Sequence, residues 1–591
     1  MKRCLPAMLV TLMLVLPVQA FAARSTTLEL DRDLTVTVHA GLHGSSRGGI
    51  VLPMVMEFEN VGANRVIAVQ TGPGVRVNGR FHVPAAQTSV RFLYVPVPAG
   101  RTNPASWCTF RDVETGIELG RAGNMHLSRI YSHRVPSTSG MGKYVPALAC
   151  LQLEPKAGGR LPVSARLDTQ YGLVIKPVSP RLLPGHWIGL SGIDVIVTTA
   201  EVLRSGRTEL RALADWTTMG GVLLVHDWTP DDRRDLQETF RRLAPFTQKT
   251  EKSLTTGMGG MAFVRRDELT ESHPGYFENH LGIPVGSLNV ALTLHGFNGS
   301  HMPHNLNSEV PQVKEDIHPP FWLVFLALML FSALVGPLGW WYFVSHRGVG
   351  LIYYAVAPGL CLVVMILVIG ADIIHEGFRP YVSCRAVRFI DQPAKRSVEL
   401  SQFGVYAPFL AAGRLKGKPG ELPHFFRDRR RRTDTITVRR EDDGVAYRGA
   451  LPARRRVWYG RERTGVERRR LVVRQTDGEV QVENHTGCDL ENLVVSYSGR
   501  CVLIASLANG ERKTGEWVDR GVNVRNWERK FNLCKTDTVL SKSEPLYHRW
   551  ANEFKSGDAW VAEVVEEEID DQVWLKSRRV EKVTYLMFGV L

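Results

Sequence analysis

Ile193-Asp194-Val195-Ile196-Val197, then a stretch carrying Leu203, Leu210, Leu213, Ala214 and Thr217 at helical spacing, then Gly220-Gly221-Val222-Leu223-Leu224-Val225: this part of the chain decides the fold. The two apolar runs are short and nearly continuous, as strands covered on both faces are. The segment between them turns one apolar face inward, and the glycine pair ends it. Asp231 to Leu243 then reads as a second helix. Strand, helix, strand, helix in this order predicts a parallel sheet with helices on both faces, occupying about residues 145–275.

The flanking sequence changes character in both directions. Residues 24–140 alternate apolar and polar positions, strictly in Leu34-Thr35-Val36-Thr37-Val38, between frequent turn residues. A β-sandwich is expected there. Residues 378–591 are again β-rich, with Leu471-Val472-Val473, Gly478 to Asn484, Leu493-Val494-Val495 and Cys501 to Ile504 as expected strands of a second sandwich. A linker, 276–320, precedes two apolar runs, 321–344 and 351–374. Each run is about 24 residues, enough at about 1.5 Å per residue to cross a ~30 Å hydrocarbon core. Trp322, Trp340, Trp341 and Tyr342 lie near the ends of the first, at the depth where interfacial aromatics collect. Lys2 and Arg3, the apolar stretch Met8 to Val18, and Ala20-Phe21-Ala22 have the layout of a secretory signal over residues 1–22.

The expected architecture is therefore multidomain, α/β plus all-β, with a two-helix membrane hairpin before the carboxyl-terminal part. An exported amino-terminal half and two spans place both large soluble parts outside the cytoplasm. Arg379, Arg385, Arg388 and Lys395, just past the second run, would by the positive-inside rule prefer the cytoplasm. The short turn Ser345 to Gly348 between the runs favours paired insertion and outweighs them.

Composition narrows the function classes. Hydrophobic residues make up 44% and charged residues 22% of the 591, which excludes wholesale disorder. A mean hydropathy of -0.10 excludes a polytopic transporter. The net charge of +14 points to anionic partners. Eight cysteines are too few for a disulfide-built scaffold.

The run Leu183-Pro184-Gly185-His186-Trp187-Ile188-Gly189-Leu190, followed by Ile193 to Val197, Leu210 to Trp216 and Gly220 to Val225, resembles the core of a class I glutamine amidotransferase-like domain. It is similar to the version found on the outer face of bacterial membrane-anchored proteins, with a β-sandwich before it and membrane helices after it. Gly336-Pro337-Leu338-Gly339-Trp340-Trp341-Tyr342-Phe343 resembles the membrane segment of the same proteins. The resemblance implies a location in the inner membrane, soluble parts on the periplasmic side, and membrane or envelope protein partners. It also implies a catalytic cysteine on the sharp turn after a central strand. The matching turn here, Val225-His226-Asp227-Trp228-Thr229, has none. A non-enzymatic role in binding or scaffolding a membrane or export complex follows, with Trp228 on the ligand-facing edge.

Two alternatives rest on other residues. His226 as base and Asp227 as its orienting partner would suit an envelope hydrolase. The arginine runs Arg429 to Arg432, Arg454-Arg455-Arg456 and Arg468 to Arg470 would suit an anionic lipid or envelope polymer. No nucleic-acid motif accompanies them, and nucleic acid is not an expected partner. Ser191 misses the spacing of a nucleophile elbow, and Gly257-Met258-Gly259-Gly260 lacks the lysine of a phosphate loop. His301 and His304 lack further ligands at recognisable spacing, so neither metal nor cofactor is expected. Cys108 with Cys150, and Cys488 with Cys501, are the disulfide candidates for an oxidising compartment.

Overall fold

The computed structural model describes residues 25–40, 51–72, 75–96, 107–123, 149–153, 174–205, 207–249, 253–265, 321–345, 380–406, 414–417, 421–426, 436–441, 444–449, 456–476, 478–518, 520–535, 543–564 and 579–591, with a few shorter pieces between them. The expected signal at 1–22, the linker at 276–320 and most of the second apolar run lie outside the described residues. The protein is a multidomain, strand-rich α/β molecule built from several sheets.

The α/β region forms around a seven-stranded sheet. Val174–Val178, Ala149–Leu153, Val195–Thr199, Val222–His226 and Gly259–Phe263 lie side by side, each pair parallel. Ser253–Thr256 and Gln248–Lys249 continue the sheet antiparallel at one edge. The apolar runs are strands for the reason their composition suggested: every residue of Val222–His226 is buried. Helices Arg207–Thr218 and Pro230–Leu243 cover the sheet, contributing Leu210, Leu213, Leu236 and Phe240 to its core. The Gly257 to Gly260 turn serves backbone packing. A Cβ on Gly259 would stand 2.2 Å from the Gly221 carbonyl oxygen, so only glycine lets these backbones meet.

The amino-terminal β region makes a four-stranded antiparallel sheet from Ser25–Asp31, Leu34–Ala40, Val51–Asn60 and Gln87–Pro96. Val75–Val83 shows the simplest half-buried strand, alternating inward and outward along its whole length. It belongs to a second, seven-stranded sheet that this region does not complete alone. Ile436–Glu441 pairs with it in parallel, followed by Gly444–Arg448 and Arg414–Gly417. Segments some 360 residues apart thus share one sheet. Phe58 and Phe110 join the two sheets edge to face, their centroids 6.3 Å apart.

The largest element is a nine-stranded sheet of carboxyl-terminal sequence, whose central strands are buried on both faces. Arg396–Tyr406 is buried at every position, and Tyr381–Asp391 at all but Arg385. One face, with Val382, Cys384, Ala386 and Phe403, joins the core of the amino-terminal β region. The other, with Val387, Phe389, Leu400 and Phe588, joins the core of the α/β region. Helices Arg520–Lys535 and Glu544–Ser556 also pack on that second face. There Phe389 stacks on Phe588 at 5.0 Å and Phe531 on Tyr547 at 4.2 Å. Each such ring contributes about 1.5–3 kcal/mol by leaving water.

Among the described residues, no helix is long and apolar enough to cross a membrane. The first apolar run is helical in three consecutive pieces: α-helix Phe321–Ala333, π-helix Leu334–Leu338 and α-helix Gly339–Ser345. The π-helical turn falls at Pro337, whose missing N–H and bulky ring disturb the α-helical ladder.

Candidate functional site

The turn at the carboxyl end of Val222–His226 is built by a conflict between strand and helix. The strand is interior to the parallel sheet, with Val195–Thr199 on one side and Gly259–Phe263 on the other. The helix begins at Pro230, only three residues past the strand's end. The reversal is absorbed at Asp227, whose φ of 50° lies in the left-handed region. A non-glycine residue held there costs of order 1–3 kcal/mol, and such strain concentrates at functional turns. Thr229 then caps the helix. Its Oγ1 accepts from the Asp232 N–H at 3.2 Å, while Asp232 Oδ2 accepts from the Thr229 N–H at 2.9 Å. The Thr229 N–H, and after it the Thr229 hydroxyl donating to the same Oδ2 at 2.7 Å, hold the Asp232 carboxyl below its ordinary range. Arg204 adds an ion pair at 2.6 Å.

His226 and Asp227 are brought together as the sequence suggested. His226 Nδ1 lies 3.0 Å from Asp227 Oδ2, with the imidazole buried and the carboxylate half exposed. The strained turn thus presents a carboxylate, with imidazole beneath it. Trp228 is turned inward. Its Nε1–H donates to the Val264 carbonyl at 3.2 Å, its ring meets Phe263 edge-on at 5.7 Å, and the Arg233 guanidinium stands 5.6 Å from the ring centre. What the turn offers solvent is chiefly the Asp227 carboxylate.

Ser191 is a strut between regions. Its Oγ accepts from the Val51 N–H at 3.2 Å and lies 3.4 Å from the Val51 carbonyl. Arg456 opens the strand Arg456–Val466, its backbone opposite Tyr406, while Arg429 to Arg432, Arg454 and Arg455 lie outside the described residues. Arg468 and Arg470 are exposed. No group of three His, Cys, Asp or Glu side chains suited to a metal occurs among the described residues, and His301 and His304 are outside them.

The expected pairing of Cys488 with Cys501 is corrected: both carry thiols. The reason is geometric. Cys488 belongs to the core on one face of the nine-stranded sheet and Cys501 to the core on the other. Cys108 is likewise a thiol, sealed in the amino-terminal β core, where burial pushes it up to about 12. Cys150 lies on the Ala149–Leu153 strand of the α/β sheet. The first three act as small apolar side chains.

Sequence reasoning missed a buried ionic ladder. Arg388 and Glu399 are directly opposed on neighbouring strands, with Arg388 Nη2 2.6 Å from Glu399 Oε2. Arg461 bonds the other Glu399 oxygen and donates through Nε to Ser401 Oγ at 3.1 Å. Glu421 continues the row, 3.7 Å from Arg461 and 3.9 Å from Arg463. Burial by itself would raise the Glu399 carboxyl, but Arg388, Arg461 and Arg463 outweigh it and hold the group at about 2.

No protein-family model matches the chain, and a search of curated proteins finds no match. Among solved structures, the yeast delta-COP-I mu-homology domain is similar over 36% of this chain and 95% of its own, with 7% identity and a TM-score of 0.17. The same domain complexed with a Dsl1 WxWxV peptide gives 8% identity over 36% of this chain and 96% of that one, again at a TM-score of 0.17. Likeness at this level carries no argument about fold or role.

Proposed function

We propose that the chain is a membrane-anchored, non-enzymatic envelope protein. On this reading its soluble parts form one extracytoplasmic body that binds or scaffolds partners in a membrane or export complex. The observation that carries the reading is the parallel pairing of Val75–Val83 with Ile436–Glu441. The two strands lie on opposite sides of the apolar runs in sequence, and strands that share a sheet must share a compartment. Any crossings by the chain between them must then be even in number, and on this reading the two apolar runs supply two.

Two further features support a membrane hairpin. Phe325, Leu326, Leu328, Met329 and Leu330 are all exposed, and so are Trp340 and Trp341. These positions go round the helix rather than along one stripe, which suits a surface covered by lipid. Arg385 and Arg388 belong to the folded strand Tyr381–Asp391, and Arg388 is paired within the core. They therefore do not act as a loose basic flank, and the opposing topological signal weakens. The absence of a catalytic role rests on the turn after Val222–His226: the resembled amidotransferase-like domains carry a cysteine on the matching turn, and Val225 to Thr229 here contains none.

The test is topology. Cysteines are introduced at the exposed positions Val61 and Gln475 in a background lacking Cys361, and intact cells are treated with a membrane-impermeant maleimide. Labelling at both sites, with the protein resisting carbonate extraction from membranes, is expected. Labelling at one site alone overturns the shared compartment, and release by carbonate overturns the anchor.

A further inference from the structure

Four arginines are buried among the described residues: Arg388, Arg396, Arg461 and Arg549. Three of them have carboxylate partners. Arg388 and Arg461 flank Glu399, and Arg396 pairs with Asp215. Arg549 departs from this pattern. It projects from helix Glu544–Ser556, is 8% exposed, and has no carboxylate within ion-pairing distance among the described residues. Its one hydrogen bond there runs from Nη1 to the Phe246 carbonyl. Burial drags the guanidinium down to about 10. A buried cation in that condition is costly to the fold unless something neutralises it.

Arg549 faces an open space. A cavity of about 460 Å³ lies where the α/β region meets the nine-stranded sheet, and Arg549 lines it. Ala244, Phe246, Pro393 and Val590 supply apolar wall. Of the acidic residues around it, Asp391 has both oxygens committed to backbone: Oδ2 accepts from the Phe246 N–H at 2.6 Å and Oδ1 from the Ala394 N–H at 2.9 Å. Glu238 is paired with Arg242 at 3.5 Å. With Nη1 occupied, Nε and Nη2 of Arg549 remain, and these two donors form the edge of a guanidinium that grips a carboxylate through two parallel bonds.

We infer that this cavity is a binding site for a small monocarboxylate with an apolar body, the carboxylate on Arg549 and the body against Phe246 and Val590. A single charge fits better than a phosphate dianion, because the lining is balanced: the carboxylates of Glu238, Asp391 and Glu553 stand against the guanidinium groups of Arg241, Arg242 and Arg549, and Arg242 is already paired with Glu238. The apolar wall selects an acid with a hydrocarbon part. Phe246 joins the site to the architecture. Its φ of 52° is left-handed, and Asp391 and Arg549 fix its N–H and carbonyl respectively. A ligand on Arg549 thus bears on the junction that holds the α/β region to the sheet.

The test uses the full chain in lipid nanodiscs, with benzoate as probe, benzamide as its neutral match and phenyl phosphate as the dianion. Saturation-transfer NMR and the apparent melting temperature are read together. Benzoate is expected to show transfer and raise the melting temperature, with benzamide at least tenfold weaker and phenyl phosphate weaker than benzoate. Arg549→Met should keep the parent's circular dichroism and abolish both benzoate effects. Equal responses to benzoate and benzamide overturn the site, as does benzoate binding by Arg549→Met at the parent's affinity. So does the absence of any benzoate or hexanoate effect up to about 10 mM. Tighter binding of phenyl phosphate overturns the choice of ligand. Should Arg549→Met fail to fold, the three-probe comparison on the parent decides alone.

Discussion

Replacing Glu399 with glutamine removes one charge from the buried ladder and leaves Arg388 and Arg461 facing a neutral amide. The size of the loss follows from two independent routes. Glu399 is 2% exposed, and its carboxyl is held at about 2 rather than the ordinary 4.5. At about 1.4 kcal/mol per unit, that difference is worth about 3 kcal/mol to the folded state at neutral pH. Deleting one partner of a buried ion pair typically costs 3–5 kcal/mol, roughly the same figure, because the remaining charge is stranded. With a urea dependence of about 1–3 kcal/mol per molar, the midpoint should fall by about 1–3 M. The assay is urea unfolding followed by tryptophan fluorescence, to which the fully buried Trp550 and Trp560 contribute from the same sheet and its helix. Glu483→Gln, which breaks the more exposed pair with Arg512, should leave the midpoint nearly unmoved. The pH dependence has a definite sign. A carboxyl depressed in the folded state stabilises fully above its unfolded value of 4.5, and the contribution disappears as pH falls through about 2. Glu399→Gln should therefore flatten the acid loss of stability between those limits. A midpoint unchanged by the substitution, or an acid profile identical to the parent's, would refute the claim that the ladder is net stabilising.

Three further outcomes are expected. Gly589→Ala should destabilise the nine-stranded sheet by about 1–3 kcal/mol in the same urea assay. The new methyl would lie 2.1 Å from the Trp560 indole, which covers Gly589 on the neighbouring strand. Thr229→Ala should cost about 1 kcal/mol, read by the same unfolding curve, through loss of the helix cap. Cys108 should resist iodoacetamide at pH 8 in the folded protein and react once urea unfolds it, as peptide mapping would show, since burial holds its thiol at about 12.

The legible and illegible parts of this chain divide along a physical line. The α/β region could be read because Val195–Thr199 and Val222–His226 are short apolar strands separated by one helical face and a glycine pair, all local signals. The turn after Val222–His226 was equally local, since His226 and Asp227 are adjacent. The nine-stranded sheet was harder. Tyr381–Asp391 and Arg396–Tyr406 are covered on both faces, so the alternation that marks half-buried strands is absent. Their charged residues then look like surface. Arg388 was taken for a membrane flank, yet its partner Glu399 lies on the next strand and Arg461 sits 62 residues beyond Glu399. Cysteine parity misled for a similar reason. Even counts suggest pairing, but only the sheet's geometry shows that Cys488 and Cys501 face opposite cores. The parallel pairing of Val75–Val83 with Ile436–Glu441 leaves no local trace in either segment.

That pairing also sets the order in which the protein can become stable. Until Ile436–Glu441 arrives, Val75–Val83 has Arg65–Gly72 on one side and an open edge on the other. An unpaired strand edge with a regular apolar face is a template for association with other chains. The same region's core is incomplete without Val382, Cys384 and Phe403 from the nine-stranded sheet. The α/β region is in the same position, because its core includes Phe389, Leu400 and Phe588. A fragment comprising residues 25–320 should therefore be found in aggregates, or protected only by chaperones. Co-expression with residues 378–591 should recover soluble material in which the two fragments purify together. Limited proteolysis gives the reading: the recovered complex should resist cleavage within 51–96, and the lone fragment should be cut there. A monomeric, protease-resistant 25–320 fragment would show that the amino-terminal regions close their own core. The nine-stranded sheet would then be an attachment rather than part of those cores.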